Sequence, residues 1–316
     1  MKKYKVILNP VAGHGNGLRA LPAIEHLLAG CGLDYDLVQS ERSGHAIELA
    51  CQAALDGCEV VVAAGGDGTV NEVINGLMAA RQNGSPRAAL GVLCVGRGND
   101  FANSMAIPVE MEPAVRALAA GQRRPIDIGR VSGGSLPLLG PIPQGRYFGN
   151  CVGIGFDAIG TIEAAKLPRW GGFASFLVAI LKTIFLYNHA PLADIQFNGK
   201  TITQRSLMIS IMNGKRIGGG GFIMAPDSLP DDGLLDLCIA EQMSSFAILG
   251  MVPHFMKGTQ ATQASIKTGR TGRVTVTAQD GPLPAQTDGE IICTQGRQLD
   301  VELLPRQIEI IYQPAE

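Results

Sequence analysis

The sequence predicts an α/β domain with an open parallel sheet, followed by an antiparallel β-rich domain. Apolar strand patterns alternate with amphipathic helix patterns up to about residue 125, and beyond about Arg124 they give way to short strands separated by turns. The all-apolar run Val60-Val61-Val62-Ala63-Ala64 empties into the turn Gly65-Gly66-Asp67-Gly68-Thr69. A strand without polar residues suits a parallel sheet covered on both faces, and ligands of such sheets sit at the carboxyl ends of the strands.

In order, the pattern predicts strands at Tyr4 to Leu8, Asp34 to Gln39, Val60 to Ala64 and Ala89 to Val95, with helices at Gly17 to Ala29, His45 to Leu55 and from Thr69 onward. With Thr69 as N-cap, Glu72 takes the third helical position and completes a capping box before Val73, Ile74 and Leu77. Three glycine-rich tips then share one sheet edge: Asn9-Pro10-Val11-Ala12-Gly13, Gly65 to Thr69, and Gly96-Arg97-Gly98-Asn99-Asp100. Topology alone expects them to converge on one crevice.

In the second half, Asn198-Gly199 between Ile195-Gln196-Phe197 and Thr201-Ile202-Thr203 is a two-residue hairpin signal. Further strands are expected at Tyr147 to Val152, Leu207 to Met212, Leu235 to Ile239, Arg273 to Thr277, Gln298 to Leu303 and Gln307 to Tyr312. Helices are expected near Asp157 to Leu167, Phe173 to Tyr187 and Ser244 to Lys257. The domains are therefore drawn at residues 1–125 and 126–316, with the final strand packing back on the first domain.

Composition narrows the class. The chain has 316 residues, 46% hydrophobic and 17% charged, with a net charge of −2, which describes a globular chain without a nucleic-acid footprint. Seven scattered cysteines with no CxxC pair read as reduced core residues, not a zinc site. Two lysines lead straight into the first strand, so a cytoplasmic location is expected. The most apolar stretch, Gly171 to Tyr187, carries Lys182 and falls short of the roughly 20 residues that span a bilayer. Its Phe173, Phe176, Leu177, Ile180, Leu181, Ile184 and Phe185 fit either a core helix or one that meets a membrane surface or an acyl chain.

The Gly65 to Thr69 turn reads as a phosphate site. Gly65, Gly66 and Gly68 let backbone N–H groups approach phosphate oxygens at a helix start. Asp67 would repel phosphate unless a magnesium ion lies between them or the carboxylate moves a proton. Ala225 to Asp236 sets carboxylates around a tight turn, which fits an Asp/Gly turn or a hard-cation site; Asp236 is expected to point away on the following strand. The segment Ala285 to Ile292 is a hairpin with Asp288-Gly289 at its tip, or a carrier of a proton-accepting Asp288 or Glu290. His14 lies in the first glycine loop; His26, His45, His189 and His254 are read as structural. The Ser-His-Asp elbow, the Rossmann fingerprint and the P-loop are absent from the sequence.

Together, Asn9-Pro10…Gly13, Gly65-Gly66-Asp67-Gly68-Thr69-x-Asn71-Glu72, Gly96-x-Gly98-Asn99-Asp100-Phe101-Ala102, Asp127-Ile128-Gly129, Asp231-Asp232-Gly233 and Asp288-Gly289-Glu290 resemble the diacylglycerol kinase catalytic family. Bacterial lipid kinases are the nearest match, and sphingosine and ceramide kinases are relatives. The resemblance runs from about Lys3 to Tyr312. It implies an NAD kinase/diacylglycerol kinase-like fold with a nucleotide-binding first domain, and an enzyme that uses ATP and Mg2+ to phosphorylate the primary hydroxyl of a lipid.

The acceptor implied is diacylglycerol, giving phosphatidic acid, with a sphingoid base or ceramide as the alternative. By the same resemblance Asn9, Pro10, Val11, Ala12, Gly13, Ser40 and Gly65, Gly66, Asp67, Gly68, Thr69, Val70, Asn71 and Glu72 are ATP-contacting. Asp67, Asp100 and Asp127 form the acidic network at the phosphates and magnesium. Leu229 and Leu234 through carbonyls, and Asp232 through its side chain, match a second magnesium site. Asp288-Gly289-Glu290 matches the general-base segment, with Glu290 preferred. Arg97 stands where many members have Thr and is expected either to add charge at the phosphates or to alter the acceptor; Asn103 stands where a basic residue is frequent. Lipid is expected to enter between the domains with its tails along Phe173 to Phe185, at a peripheral membrane contact, and a homodimer is a family-level expectation. An NAD kinase shares Gly-Gly-Asp-Gly-Thr, but Asn71-Glu72 and Gly98-Asn99-Asp100-Phe101 speak against it; a non-catalytic lipid- or nucleotide-binding protein is the remaining class.

Overall fold

The computed structural model describes residues 3–85, 87–133, 145–166, 172–187 and 190–314. His189 and the side chains of Phe173 and Phe176 lie outside the described residues. The chain divides into two compact units, Met1–Ile128 with Pro305–Glu316, and Gly129–Leu304.

The first unit runs β1 (Tyr4–Leu8), α1 (Ala12–Gly30), β2 (Tyr35–Gln39), α2 (His45–Leu55), β3 (Val60–Gly65), α3 (Asp67–Gln82), β4 (Ala89–Cys94), α4 (Asp100–Ser104), α5 (Met111–Ala120) and β5 (Arg123–Ser132). Its strands lie in the order β4-β3-β1-β2, all parallel, with Val6 opposite both Val62 and Leu37. Every residue of β3 is buried, as its unbroken apolar run requires. Ile24 and Leu28 of α1 and Val115 and Leu118 of α5 close over one side of this sheet. On α3, a Cβ at Gly76 would come 2.4 Å from the Ile47 carbonyl oxygen, so this glycine lets α3 lie directly on the backbone of α2.

The second unit runs β6 (Arg146–Phe148), β7 (Cys151–Gly155), α6 (Phe156–Lys166), α7 (Gly172–Leu186), β8 (Leu192–Phe197), β9 (Lys200–Met212), β10 (Arg216–Ile217), β11 (Phe222–Ile223), β12 (Leu235–Glu241), α8 (Ser245–Lys257), β13 (Ile266–Thr271), β14 (Arg273–Ala278), β15 (Leu283–Thr287), β16 (Glu290–Gly296) and β17 (Gln298–Ile311). The last strand starts here and ends in the first unit, where Ile310 pairs in parallel with Leu90. Within the second unit the ladders are antiparallel, and β9 serves three of them. Its first half pairs with β8 and alternates in exposure, whereas its second half pairs with β7 and β12 and is buried throughout. One core lies among these strands, around Ile209, Ile211, Leu237, Val274 and Val301. A second fills the space between them and helices α6 to α8, around Phe156, Ile184, Met208, Phe222 and Ile248.

Four local expectations change. Helix α3 begins at Asp67 with Gly66 as N-cap, so Glu72 is too far along to close a capping box. The strand expected over Tyr147 to Val152 is two strands, interrupted at Gly149-Asn150, whose N–H groups bond a side chain instead of a ladder. Leu207 to Met212 continues the hairpin strand β9, and the two strands expected after Gln298 are one, with Arg306 at φ 49° inside it. Strand β13, Ile-Lys-Thr-Gly-Arg-Thr, was hidden by its polar residues and central glycine; it pairs with β12.

Candidate active site

The three glycine-rich turns meet at the carboxyl edge of β1, β3 and β4. Backbone bonds stitch them first: Asn9 N–H donates to the Ala64 carbonyl at 2.9 Å, and the Val95 and Gly96 N–H groups both donate to the Gly65 carbonyl. The Asn9 side chain then spans two turns, donating through Nδ2 to Thr69 Oγ1 at 3.0 Å and accepting the Val11 N–H through Oδ1 at 3.1 Å. Close backbone approach requires the glycines. A Cβ at Gly96 would fall 2.4 Å from Gly66 Cα and one at Gly13 2.4 Å from the Val95 carbonyl oxygen, and Gly13 is left-handed at φ 57°.

Asp67 occupies the first position of α3, and its Oδ1 accepts the Phe101 N–H of α4 at 3.0 Å. Gly66, Asp67 and Gly68 remain partly exposed, while Thr69, Val70 and Asn71 turn into the interior. Asp100 opens α4, and Arg97 is exposed on the same third turn. Neighbouring Cys94 is no nucleophile: burial, reinforced by the Asp67 carboxylate, pushes its thiol up to about 12.

Other residues expected at the nucleotide carry structural bonds. Ser40 is buried at the end of β2, its N–H on the Leu8 carbonyl. Glu72 accepts the Gly44 and Ala46 N–H groups at 2.8 and 3.1 Å and thereby caps α2 in place of its own helix. Asp127 is fully buried on β5, and its Oδ1 accepts the Arg306 N–H at 2.7 Å.

In the second unit, Asp288 and Gly289 form the predicted hairpin turn between β15 and β16, both with positive φ. The buried Asp288 carboxylate accepts the N–H groups of Gly149, Asn150 and Cys151 at 2.8 to 2.9 Å, which explains the break between β6 and β7. Glu290, at the start of β16, is exposed.

In the turn expected to hold a second cation, Arg270 is paired with two of the four carboxylates. Asp232 accepts the Leu234 N–H through Oδ1 and is paired through Oδ2 with Arg270. Arg270 also lies 3.2 Å from Asp236, which faces the turn and does not point away from it, because Asp236 and Arg270 are directly opposed on β12 and β13. Leu229 is half exposed. With both Asp232 oxygens engaged, Leu229, Asp232 and Leu234 do not fit a cation as they stand. Among the described residues no cluster of three or more His, Cys, Asp or Glu side chains is arranged for a metal.

Residues 3–131 match the family model described as the diacylglycerol kinase catalytic domain. Residues 150–312 match that of the YegS C-terminal NAD kinase beta sandwich-like domain. The chain belongs to the diacylglycerol kinase family of lipid kinases.

A diacylglycerol kinase of Bacillus subtilis is 29% identical over 292 residues, covering 92% of this chain and 90% of that protein. A "Probable lipid kinase YegS-like" protein of Pectobacterium atrosepticum is 36% identical over 200 residues, covering 61% of this chain and 59% of its own. Among solved structures, a diacylglycerol kinase from Bacillus anthracis superposes with a TM-score of 0.71 at 20% identity, over 99% of this chain and 97% of that one. An NAD kinase from Archaeoglobus fulgidus in complex with ATP reaches 0.52 at 12% identity, over 98% and 93%. These two likenesses speak for the fold.

As a lipid kinase, the protein uses ATP. Sequence reading passed over Asn99 as a site residue. It is left-handed at φ 56°, and its Oδ1 is buried without a hydrogen-bond partner 3.2 Å from the place a Cβ on Gly96 would take. An orphaned acceptor beside the Gly66-Asp67 turn suits a cation or a ligand hydroxyl. An Asn before the helix-opening Asp100 was the available signal.

The kinase also has an apolar cavity inside its second unit, with about 550 Å³ of space free of atoms, its open mouth included. Ile180 of α7, Ile248, Met251 and Phe255 of α8, and Leu207 and Met208 of β9 line it.

Proposed function

We propose that this lipid kinase transfers the γ-phosphoryl group of ATP to the primary hydroxyl of a membrane lipid, with diacylglycerol, giving phosphatidic acid, as the reference acceptor. The observation that carries the reading is the meeting of three glycine turns around Asp67. It supports a cradle of backbone N–H groups for the phosphates at the start of α3. Magnesium, when bound, would offset charge on the β- and γ-phosphates, and Asp67 with the unpartnered Asn99 Oδ1 are the oxygens suited to hold it. Arg97, exposed on the third turn, adds positive charge to the same phosphates.

In the transfer, the acceptor oxygen bonds to the γ-phosphorus while the bond to the β-phosphate oxygen breaks and ADP leaves with the electron pair. The hydroxyl proton goes to Glu290. Asp288 is the less suitable base because three backbone N–H groups already occupy its carboxylate. The cavity under α7 and α8 offers the acyl chain an apolar lining.

Contact with the membrane surface is part of this reading. Leu181 and Phe185 lie one helical turn apart on α7, and Phe185 is 65% and Phe246 84% exposed. The Ser245 hydroxyl bonds the Ile184 carbonyl at 3.1 Å, so the two phenylalanines flank one joint between α7 and α8. An exposed apolar group of this kind suits a lipid surface, while Lys182 is paired with Glu163 at 2.6 Å.

Purified wild type, Asp67→Ala and Glu290→Gln compared in a labelled-ATP lipid phosphorylation assay test the assignments. Both variants should lose at least about a hundredfold in kcat while still unfolding cooperatively as folded proteins, Asp67→Ala with a small loss of stability for its bond to the Phe101 N–H. Near wild-type turnover by either one removes that residue from the mechanism.

A further inference from the structure

Among the described residues, the lining of the cavity in the second unit is apolar except at one place. Asp157, in the first turn of α6, is the one ionisable side chain among these described lining residues. It is 5% exposed, and Ser210 of β9 donates a hydrogen bond to its Oδ2 from behind. The Tyr187 hydroxyl is also buried without a partner and lies 3.5 Å from the place a Cβ on Gly155 would take, two residues before Asp157. A cavity meant for hydrocarbon alone would be lined by hydrocarbon throughout, since a carboxylate kept from water with one hydroxyl partner is a costly wall. Burial pushes the Asp157 carboxyl up to about 6, so it is still largely ionised at neutral pH and calls for a donor. No step of the phosphoryl transfer uses it.

We propose that Asp157, backed by Ser210, is a recognition point inside the lipid cavity that accepts a hydrogen bond from a second donor group on the lipid, a hydroxyl or a protonated amine, besides the hydroxyl that is phosphorylated. The inference rests on the lipid-kinase reading and narrows its acceptor class. A lipid with one long chain and a second donor, such as a monoacylglycerol or a long-chain amine alcohol, ranks above a diacylglycerol with plain acyl chains. Specificity of this kind is asymmetric: a buried acceptor left without a donor penalises the wrong ligand more than an extra methylene does.

Binding to the full chain without nucleotide tests this apart from catalysis. Monoolein, sphingosine and methyl oleate are titrated in one detergent, with dissociation constants read from displacement of a fluorescent fatty-acid probe. In the wild type, monoolein or sphingosine should bind at least about tenfold tighter than methyl oleate. Asp157→Leu should collapse that ratio to near one. Asp157→Asn keeps an acceptor oxygen without the charge, so it should retain the monoolein preference and lose that for sphingosine; it decides the matter if the leucine variant does not fold. A preference for monoolein alone identifies a hydroxyl donor, and for sphingosine alone an ammonium. Methyl oleate binding as tightly as both, or a ranking unchanged in Asp157→Leu, overturns the inference. If the kinase reading fails instead, no lipid is phosphorylated while the ranking and its loss in the variants remain.

Discussion

Asp288 and Glu290 stand two residues apart on one hairpin and are put to different uses. Asp288 spends its oxygens on the backbone at the break between β6 and β7, while Glu290 is exposed. Asp157 is the third carboxylate of consequence in that unit, and its cost is measurable. Burial raises it to about 6, above the roughly 3.9 of an unfolded chain, so the folded state binds its proton more tightly. Its contribution to stability is therefore complete below about pH 4 and declines as the pH rises to about 6, by about 3 kcal/mol in all. Asp157→Asn removes that titration. The variant should melt above the wild type at pH 7.5, and the gap should narrow by pH 4; an equal gap at both pH values contradicts the buried-charge account. The residue carries no motif signal, because what makes it unusual is the apolar cavity assembled around it by distant elements.

Among elements, Glu72 joins two helices: it sits on α3 and satisfies the first N–H groups of α2. Glu72→Ala should cost about 1–2 kcal/mol of stability, read as a lower urea midpoint at an unchanged m-value, with Glu72→Gln recovering part of it. A stability unchanged in the alanine variant, with a loss of ATP affinity alone, would return Glu72 to the nucleotide. The first four strands and first three helices of the first unit were legible because they carry a local signal, an apolar run or an amphipathic repeat, whereas α4, α5 and β5 were not predicted. Helix starts were less legible. Thr69 and Glu72 match a capping box in sequence, but the chain turns earlier, at Gly66, because the backbone must pass close to Gly96. In the second unit, the hairpins at Asn198-Gly199 and Asp288-Gly289 were readable from their turn chemistry. The break at Gly149-Asn150 was not, since its cause, the Asp288 carboxylate, comes 138 residues later.

For the whole molecule, the parallel order of β4, β3, β1 and β2 explains why three separated motifs meet at one sheet edge, and this much followed from strand and helix alternation alone. The unit-2 cavity did not, because its lining comes from α6, α7, α8 and strands far apart in sequence. No described helix is long and apolar enough to cross a membrane, and the reading offered above is attachment through α7 and α8. Phe185→Ala with Phe246→Ala should lower cosedimentation with anionic vesicles at least about fivefold, while phosphorylation of a short-chain, detergent-dispersed lipid stays near wild type; unchanged cosedimentation would remove these helices from the membrane contact. The central claim is lipid phosphorylation from ATP. Its most direct measurement is product identity after incubation of the wild type with γ-labelled ATP, magnesium and a panel of diacylglycerol, monoacylglycerol, sphingosine, ceramide and NAD. The account predicts label on a lipid hydroxyl, and none when Asp67→Ala replaces the wild type. Label on NAD alone, or lipid labelling that survives Asp67→Ala, would contradict it.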